Sequence, residues 1–169
     1  MSLAANLLPE FDQEIQITRR MLERVPEGKF EWQPHPKSMK LGRLASHLAE
    51  LPTWGSMTME TDEFDVAPAG KQAYASKILA NRAEILATFD TNAAAARRAI
   101  AAATDAQLGR PWTLKSGGNA VFTMPKMAVL RGMVMNHMIH HRAQLGLFLR
   151  LNDVEIPGTY GPSADDSGM

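Results

Sequence analysis

The residues of this sequence that could do chemistry are histidines, two of which stand four positions apart. His137 and His141 have the spacing that brings two imidazoles to one helix face, about 5–6 Å apart at Cβ. The same face carries the apolar residues Met127, Leu130, Val134, Leu145 and Phe148. Two imidazoles on a core-facing stripe are suited to one metal ion. Many such pairs merely lie on exposed helices, so both interpretations stay open.

A third histidine comes from a distant segment. His47 lies one turn after Leu44 and one turn before Leu51, so it points at or beside the core. A lone histidine there could simply be a hydrogen-bonded core residue. Joined to His137 and His141, it would complete a three-histidine set with an open position, which is typical of catalytic rather than structural zinc. The site would then join helices that are far apart in sequence.

Polar residues flank these histidines. Gln144 shares the helix face and could orient a ligand imidazole or a bound water. Glu50, one turn after His47, could do the same or accept a proton. His140 lies away from the centre of the stripe, so we interpret it as a flanking group rather than a ligand. Trp54 could line the mouth of the site, or it could be an ordinary core residue.

Composition excludes several classes of function. The 169 residues include 18 Lys+Arg and 18 Asp+Glu, so the formal net charge is zero, which does not support a basic surface for nucleic acid or membranes. With no cysteine, the chain has no disulfide, thiolate metal site or cysteine nucleophile. No apolar run reaches the roughly 18 residues of a membrane span, and no secretory signal is visible. We expect a soluble, cytoplasmic protein.

Four segments show the periodicity of amphipathic helices. Their apolar stripes lie within 8–25, 41–51, 78–100 and 127–148. Ser38 is a candidate N-cap for the second helix, and Pro52 should break or kink that helix near its end. Ile78 starts the stripe of the third helix, and Pro125 is placed to be the first residue of the fourth.

The segments between the helices complete a fold prediction. A polar, proline-containing connection over 61–71 is long enough to cross the end of a bundle, and two β-prone runs flank the glycine-containing segment 115–119. We therefore predict a single all-α domain over 1–169. It is a four-helix bundle with a long crossover connection, a small extended or hairpin loop before the last helix, and an irregular tail over about 152–169.

Four separated blocks of the sequence resemble the DinB family of the DinB/YfiT-like superfamily. The blocks WQPHPKSM at 32–39 and LASHLAE at 44–50 resemble the family's linker and first ligand region. The block NHMIHHRAQL at 136–145 resembles its second ligand region, and IPGTYGPSAD at 156–165 resembles its C-terminal signature. Together they span most of the chain in the expected order.

The resemblance implies a divalent metal, nickel or zinc, held by His47, His137 and His141. Ala143 stands where many members have glycine, which should not disturb the ligands. Members of the family commonly form homodimers. Those whose activity is understood resemble transferases of low-molecular-weight thiols or thiol-dependent isomerases. The leading hypothesis is therefore a metal-dependent enzyme that transfers such a thiol, as cosubstrate, to a small electrophile.

Two other functions remain open on the same residues. The metal could activate water for hydrolysis, with Glu50 as the nearest candidate for the base. Alternatively, the protein could be a non-catalytic, stress-linked dimeric bundle that binds a metal or a small molecule. The sequence does not name the metal, since three imidazoles with an open position suit several transition metals.

Overall fold

The computed structural model describes residues 2–71 and 73–166. Its helices are α1 (Leu3–Leu22), α2 (Leu41–Glu50), α3 (Thr53–Glu60), α4 (Arg82–Ala101), α5 (Asp105–Gly109), α6 (Lys126–Val129) and α7 (His137–Arg150), with a 3₁₀ turn at Glu27–Lys29 and a π-helical segment at Leu130–Asn136. The strands are β1 (Glu63–Asp65), β2 (Pro111–Ser116) and β3 (Asn119–Pro125). Helix α4 packs against α1, α2 and α3, while α7 packs against α1 and α2.

The prediction of an all-α four-helix bundle is wrong, because the fold is mixed and contains a three-stranded sheet. Strand β1 pairs in parallel with β2, and β2 pairs antiparallel with β3. The supposed crossover connection thus contains a strand, whose Phe64 pairs with Leu114. Three residues are too few to show an alternating pattern, and the partner strand lies about fifty positions away. For both reasons β1 could not be predicted from the sequence.

The hairpin between β2 and β3 turns at two glycines with positive φ. Gly117 has φ 61° and Gly118 has φ 81°, values that side chains disfavour and that suit a two-residue hairpin turn. The carboxylate of Asp65 accepts hydrogen bonds from both glycine N–H groups, at 3.1 and 2.7 Å. The end of β1 is therefore tied to this turn, so the hairpin is part of the sheet and not an isolated loop.

Helix boundaries depart from the prediction at two places. Ser38 is not the N-cap of α2, since the cap position is Lys40 and its side chain makes no capping bond. Backbone carbonyls of the preceding loop satisfy the first N–H groups instead, with Leu41 N donating to Trp32 O. Ile78 does not belong to α4, which begins at Arg82 after an Asn81 cap; Ile78 is 62% exposed.

Two prolines delimit helices close to where the sequence places them. Helix α2 ends at Glu50, and α3 begins at Thr53 with Pro52 at its N-cap, so Pro52 does separate two helical segments. Pro125 is the N-cap of α6 rather than its first helical residue. No helix in the described parts of the chain is both long and apolar enough to cross a bilayer.

Candidate metal centre

The structure brings His47, His137 and His141 together at the contact between α2 and α7. His137 is the first residue of α7 and His141 follows one turn later, while His47 projects from the facing side of α2. One ring nitrogen from each of the three lies within 4.8 Å of the others. Among the histidines, aspartates and glutamates that the structure describes, these three histidines form the one group of three or more whose ligand atoms lie close enough to hold a metal ion.

The distances between ring nitrogens fit one shared ion. The Nε2 atoms of His47 and His137 are 3.4 Å apart, and those of His137 and His141 are 2.9 Å apart. Two imidazoles bound tetrahedrally at zinc–nitrogen distances near 2.0–2.1 Å would hold their nitrogens about 3.4 Å apart. The first pair matches this spacing and the second is somewhat shorter. With all three rings offering a nitrogen within 4.8 Å of the others, the cluster surrounds one small volume that could hold an ion.

Hydrogen bonds outside the cluster turn the ring lone pairs inward. Nδ1 of His141 lies 2.7 Å from Oε1 of Gln144, to which it donates, and the His137 ring bonds the backbone of Met133. With these outer nitrogens protonated, both Nε2 atoms present lone pairs toward each other. In this tautomer both Nε2 atoms are free to bind one cation, and in the other tautomer of His137 the 2.9 Å contact is an N–H···N hydrogen bond.

The histidines are held in their neutral forms. The pKa of His47 is lowered to about 4, mostly by burial and in addition by the charges of His141, His137 and Arg43. Burial also lowers the pKa of His137 and of His141, opposed by the hydrogen bonds to Met133 and Gln144. Neutral imidazole is the form that binds metals. At pH 7 the cluster therefore needs no deprotonation to act as a ligand set.

The flanking residues occupy different places. Gln144 contacts His141 as expected, and its Nε2 also lies 3.1 Å from Nε2 of the exposed His140, so His140 reaches the cluster through Gln144. Glu50 lies outside the three-histidine group. Its Oε1 accepts a 2.7 Å hydrogen bond from Lys77 N, and its Oε2 lies 3.9 Å from Nη1 of Arg43.

Trp54 belongs to an aromatic cluster and does not contact the histidines edge-on or face-on. Its ring packs at right angles to Phe64 at 5.6 Å, to Tyr74 at 5.9 Å and to Trp112 at 6.5 Å. Burial raises the pKa of the Tyr74 hydroxyl, the charge of Glu50 also raises it, and the charge of Arg43 lowers it. The aromatic cluster therefore adjoins the Arg43–Glu50 pair rather than the histidines.

Sequence reasoning missed two features of this site. Arg43 lies one turn before His47, and its charge acts on both His47 and His141, yet its spacing was not considered. The π-helical segment Leu130–Asn136 ends immediately before His137, and such segments are frequent at functional sites. Arg43 could have been found from its four-residue separation from His47. The π-helical segment has no comparable sequence signal.

Comparisons with known proteins agree with the fold. The model of the DinB family matches residues 1–168. The crystal structure of a DinB-like protein from Bacillus cereus ATCC 10987 has a TM-score of 0.66 and 21% identity, covering 90% of this chain and 95% of that chain. A DinB-like protein from Bacillus subtilis has a TM-score of 0.68 and 16% identity, covering 91% and 96%. At these identities the likeness concerns the fold alone. No curated protein matches. On the family match over nearly its whole length, this chain belongs to the DinB family.

Proposed function

We propose that the chain is a metal-dependent enzyme in which His47, His137 and His141 hold one divalent ion, nickel or zinc. The convergence of three half-buried to buried imidazoles, each with a ring nitrogen within 4.8 Å of the others and each with a lowered pKa, is the observation that carries the proposal. Three protein ligands leave a position for a further ligand, as in catalytic zinc sites. Membership of the DinB family supports the same site.

The reaction we propose is transfer of a low-molecular-weight thiol to an electrophile. A bound divalent ion would supply Lewis acidity, which lowers the pKa of a coordinated thiol and makes it nucleophilic near neutral pH. The chain's own residues hold and orient the ligand set. Gln144 fixes the tautomer and tilt of His141, and the Met133 backbone does the same for His137. No cysteine competes with the thiol cosubstrate.

The hydrolytic alternative has less support. It requires a carboxylate free to take a proton from a water at the metal, and Glu50 was the candidate. One oxygen of Glu50 is engaged by Lys77 N, and the carboxylate stands outside the histidine group. Assays of thiol-plus-electrophile pairs against esters and amides, with and without chelator, separate the two reactions.

A homodimer and a cytoplasmic location, both expected from the sequence, stay predictions, as does a single domain over 1–169.

Metal content tests the proposed site directly. Untagged protein, purified without chelator and then offered nickel or zinc, should hold about one equivalent of metal by elemental analysis. His137→Ala should lose it, because two imidazoles bind a divalent ion far more weakly than three. His140→Ala is the matched control, since it removes a neighbouring but exposed imidazole, and it should keep the metal. Full occupancy in His137→Ala would refute the assignment.

A further inference from the structure

Three polar atoms on one face of α2 are buried and unpartnered within the described parts of the chain. They are Nη1 of Arg43, Nδ1 of His47 and Oε2 of Glu50. The spacing of four and three residues places all three side chains along the same helix face, with the histidine in the middle. Buried polar atoms without partners are rare and call for an explanation such as a ligand group.

Arg43 and Glu50 form an ion pair but make no hydrogen bond to each other. Nη1 of Arg43 lies 3.9 Å from Oε2 of Glu50, beyond hydrogen-bond distance. Glu50 is held in place from its other oxygen, by Lys77 N at 2.7 Å. Their side chains are 26% and 15% exposed, although the two facing atoms, Nη1 and Oε2, are themselves buried. The two groups therefore form a long ion pair that leaves the hydrogen-bonding capacity of both facing atoms unused.

The two unpartnered atoms need opposite kinds of hydrogen-bond partner, since Nη1 of Arg43 is a donor and Oε2 of Glu50 is an acceptor. Arg43 offers donors shaped for a carboxylate, and Glu50 offers an acceptor for an ammonium group. Both stand within one turn of His47, and the charge of Arg43 acts on His47 and His141, which places it beside the histidine cluster. A small molecule with a group at the cluster would have a carboxylate or an amine a few bonds away facing this pair.

We propose that Arg43 and Glu50 recognise the zwitterionic head of an amino-acid-like thiol, Arg43 binding its carboxylate and Glu50 its ammonium group. This inference rests on the proposed thiol function, which it narrows to thiols that carry both charges near the sulfur. Arg43 and Glu50 are specificity-determining residues in this scheme. Their role is to select and orient the cosubstrate, and neither needs to move a proton.

Thiol binding to the full chain loaded with nickel tests the inference without an activity assay. Nickel–thiolate absorbance gives dissociation constants for 3-mercaptopropionate, cysteamine and 2-mercaptoethanol, which carry a carboxylate, an amine and neither charge. Each constant is compared between wild type and variant for the same thiol, so differences in thiol basicity cancel. Variants are used only after their nickel content and melting temperature match the wild type.

Arg43→Met should weaken the binding of 3-mercaptopropionate about tenfold or more, which is the usual effect of losing a charge-assisted hydrogen bond. It should leave the binding of 2-mercaptoethanol unchanged. Glu50→Gln keeps the acceptor for Lys77 N and should weaken cysteamine selectively. Arg43→Lys keeps the positive charge and should retain most of the carboxylate preference. Arg24→Met removes an exposed arginine near the end of α1 and should change none of the constants.

Two contrary results have different meanings. If all three thiols give absorbance but Arg43→Met and Glu50→Gln shift them equally, the inference is overturned while the thiol function stands. If none of the thiols perturbs the nickel spectrum of the wild type, the thiol function fails and the inference falls with it.

Discussion

The three imidazoles form a ligand set because their surroundings keep them neutral and aimed inward. Burial opposes protonation of each ring, and Gln144 fixes the outer nitrogen of His141. His47 has no such outer partner within the described residues, since its Nδ1 is unpartnered. Among the three, His47 is therefore the ring held least by hydrogen bonds and most by packing, and its pKa departs far from the usual value of 6.5.

Metal-free protein should lose stability as the pH falls from 6.5 to about 4. The unfolded chain protonates His47 below 6.5, whereas the folded chain does so only near 4, so acid favours unfolding across this interval. We expect the free energy of unfolding to fall by about 1–2 kcal/mol. Each pKa unit corresponds to about 1.4 kcal/mol, and the effect is reduced because the ring is only partly withdrawn from water. Urea unfolding at pH 7 and pH 4 measures it. His47→Asn should show a smaller pH dependence, and an identical one would contradict the argument.

At this scale the sequence was informative about the histidines and not about their neighbours. A four-residue spacing on a core-facing stripe was enough to select His137 and His141. Glu50 was placed near His47 by the same rule, but its contacts with Lys77 N and its distance from Arg43 depend on a loop whose path has no local pattern. Spacing within one helix can be read from the sequence, whereas the contacts that a loop makes with Glu50 cannot.

At the scale of elements, a π-helical segment leads directly into the helix that carries His137 and His141. The segment Leu130–Asn136 lies between α6 and α7 and ends just before His137. Its turn contains more residues than an α-helical turn, so it changes the rotation of α7 relative to α6. The predicted stripe over 127–148 was drawn as one regular helix. It nevertheless selected core residues on both sides, because Leu130, Val134 and Leu145 are all buried.

Deleting Gly132 should restore α-helical winding and misdirect the histidines. Removing one residue rotates the two sides of the helix by about 100° relative to each other, so the side that keeps its packing displaces the other. We expect metal affinity to fall at least tenfold while far-UV circular dichroism stays largely helical at a temperature where the variant is folded.

Gly132→Ala is the matched control for this deletion. A Cβ at this position would meet nothing within 4 Å, so the substitution should keep full metal binding and change stability by at most about 1 kcal/mol. A deletion variant that binds metal as tightly as the wild type would show that the π-helical segment does not position the site.

The same scale shows why the fold class was misjudged. Helices were recognised from stripes of ten residues or more, a length that periodicity can reveal. The sheet depends instead on the three residues of β1 meeting β2 from the other half of the chain, and on the carboxylate of Asp65 at the Gly117–Gly118 turn. Local β-prone patterns favoured a hairpin before the last helix, and nothing local indicated a third strand.

At the scale of the whole molecule, a buried ion pair joins the two ends of the fold. Nη1 of Arg142 on α7 donates to Oε2 of Glu14 on α1 at 2.6 Å, and Nη2 donates to the Tyr160 hydroxyl at 2.6 Å. The Tyr160 hydroxyl lies 2.9 Å from both oxygens of Glu14, to which it donates, and burial and Glu14 raise its pKa. The side chains of Arg142 and Glu14 are only 3% and 6% exposed.

This cluster holds α7 against both α1 and the irregular segment that follows α7. Arg142 directly follows His141, and its bonds to α1 fix the rotation of α7 about its own axis. The irregular segment after α7 is held by the same arginine through Tyr160. A cavity of about 350 Å³ lies between α7 and that segment, away from the histidines. The turn of α7 that carries His141 is therefore held by contacts with α1 and with the segment after α7.

Arg142→Met should be the most destabilising single change among these residues, by about 3–5 kcal/mol, because it leaves the Glu14 carboxylate buried without a partner. Tyr160→Phe should cost about 1 kcal/mol, the net value of a neutral hydrogen bond. The matched control is Arg150→Met, which breaks the more exposed pair with Asp165 and should cost less than about 1 kcal/mol. Urea unfolding of the metal-free proteins at pH 7 measures all three. If Arg142→Met and Arg150→Met proved equally mild, the buried pair would not hold α7 against α1, and the orientation of His141 would have to come from apolar packing and from its hydrogen bond to Gln144.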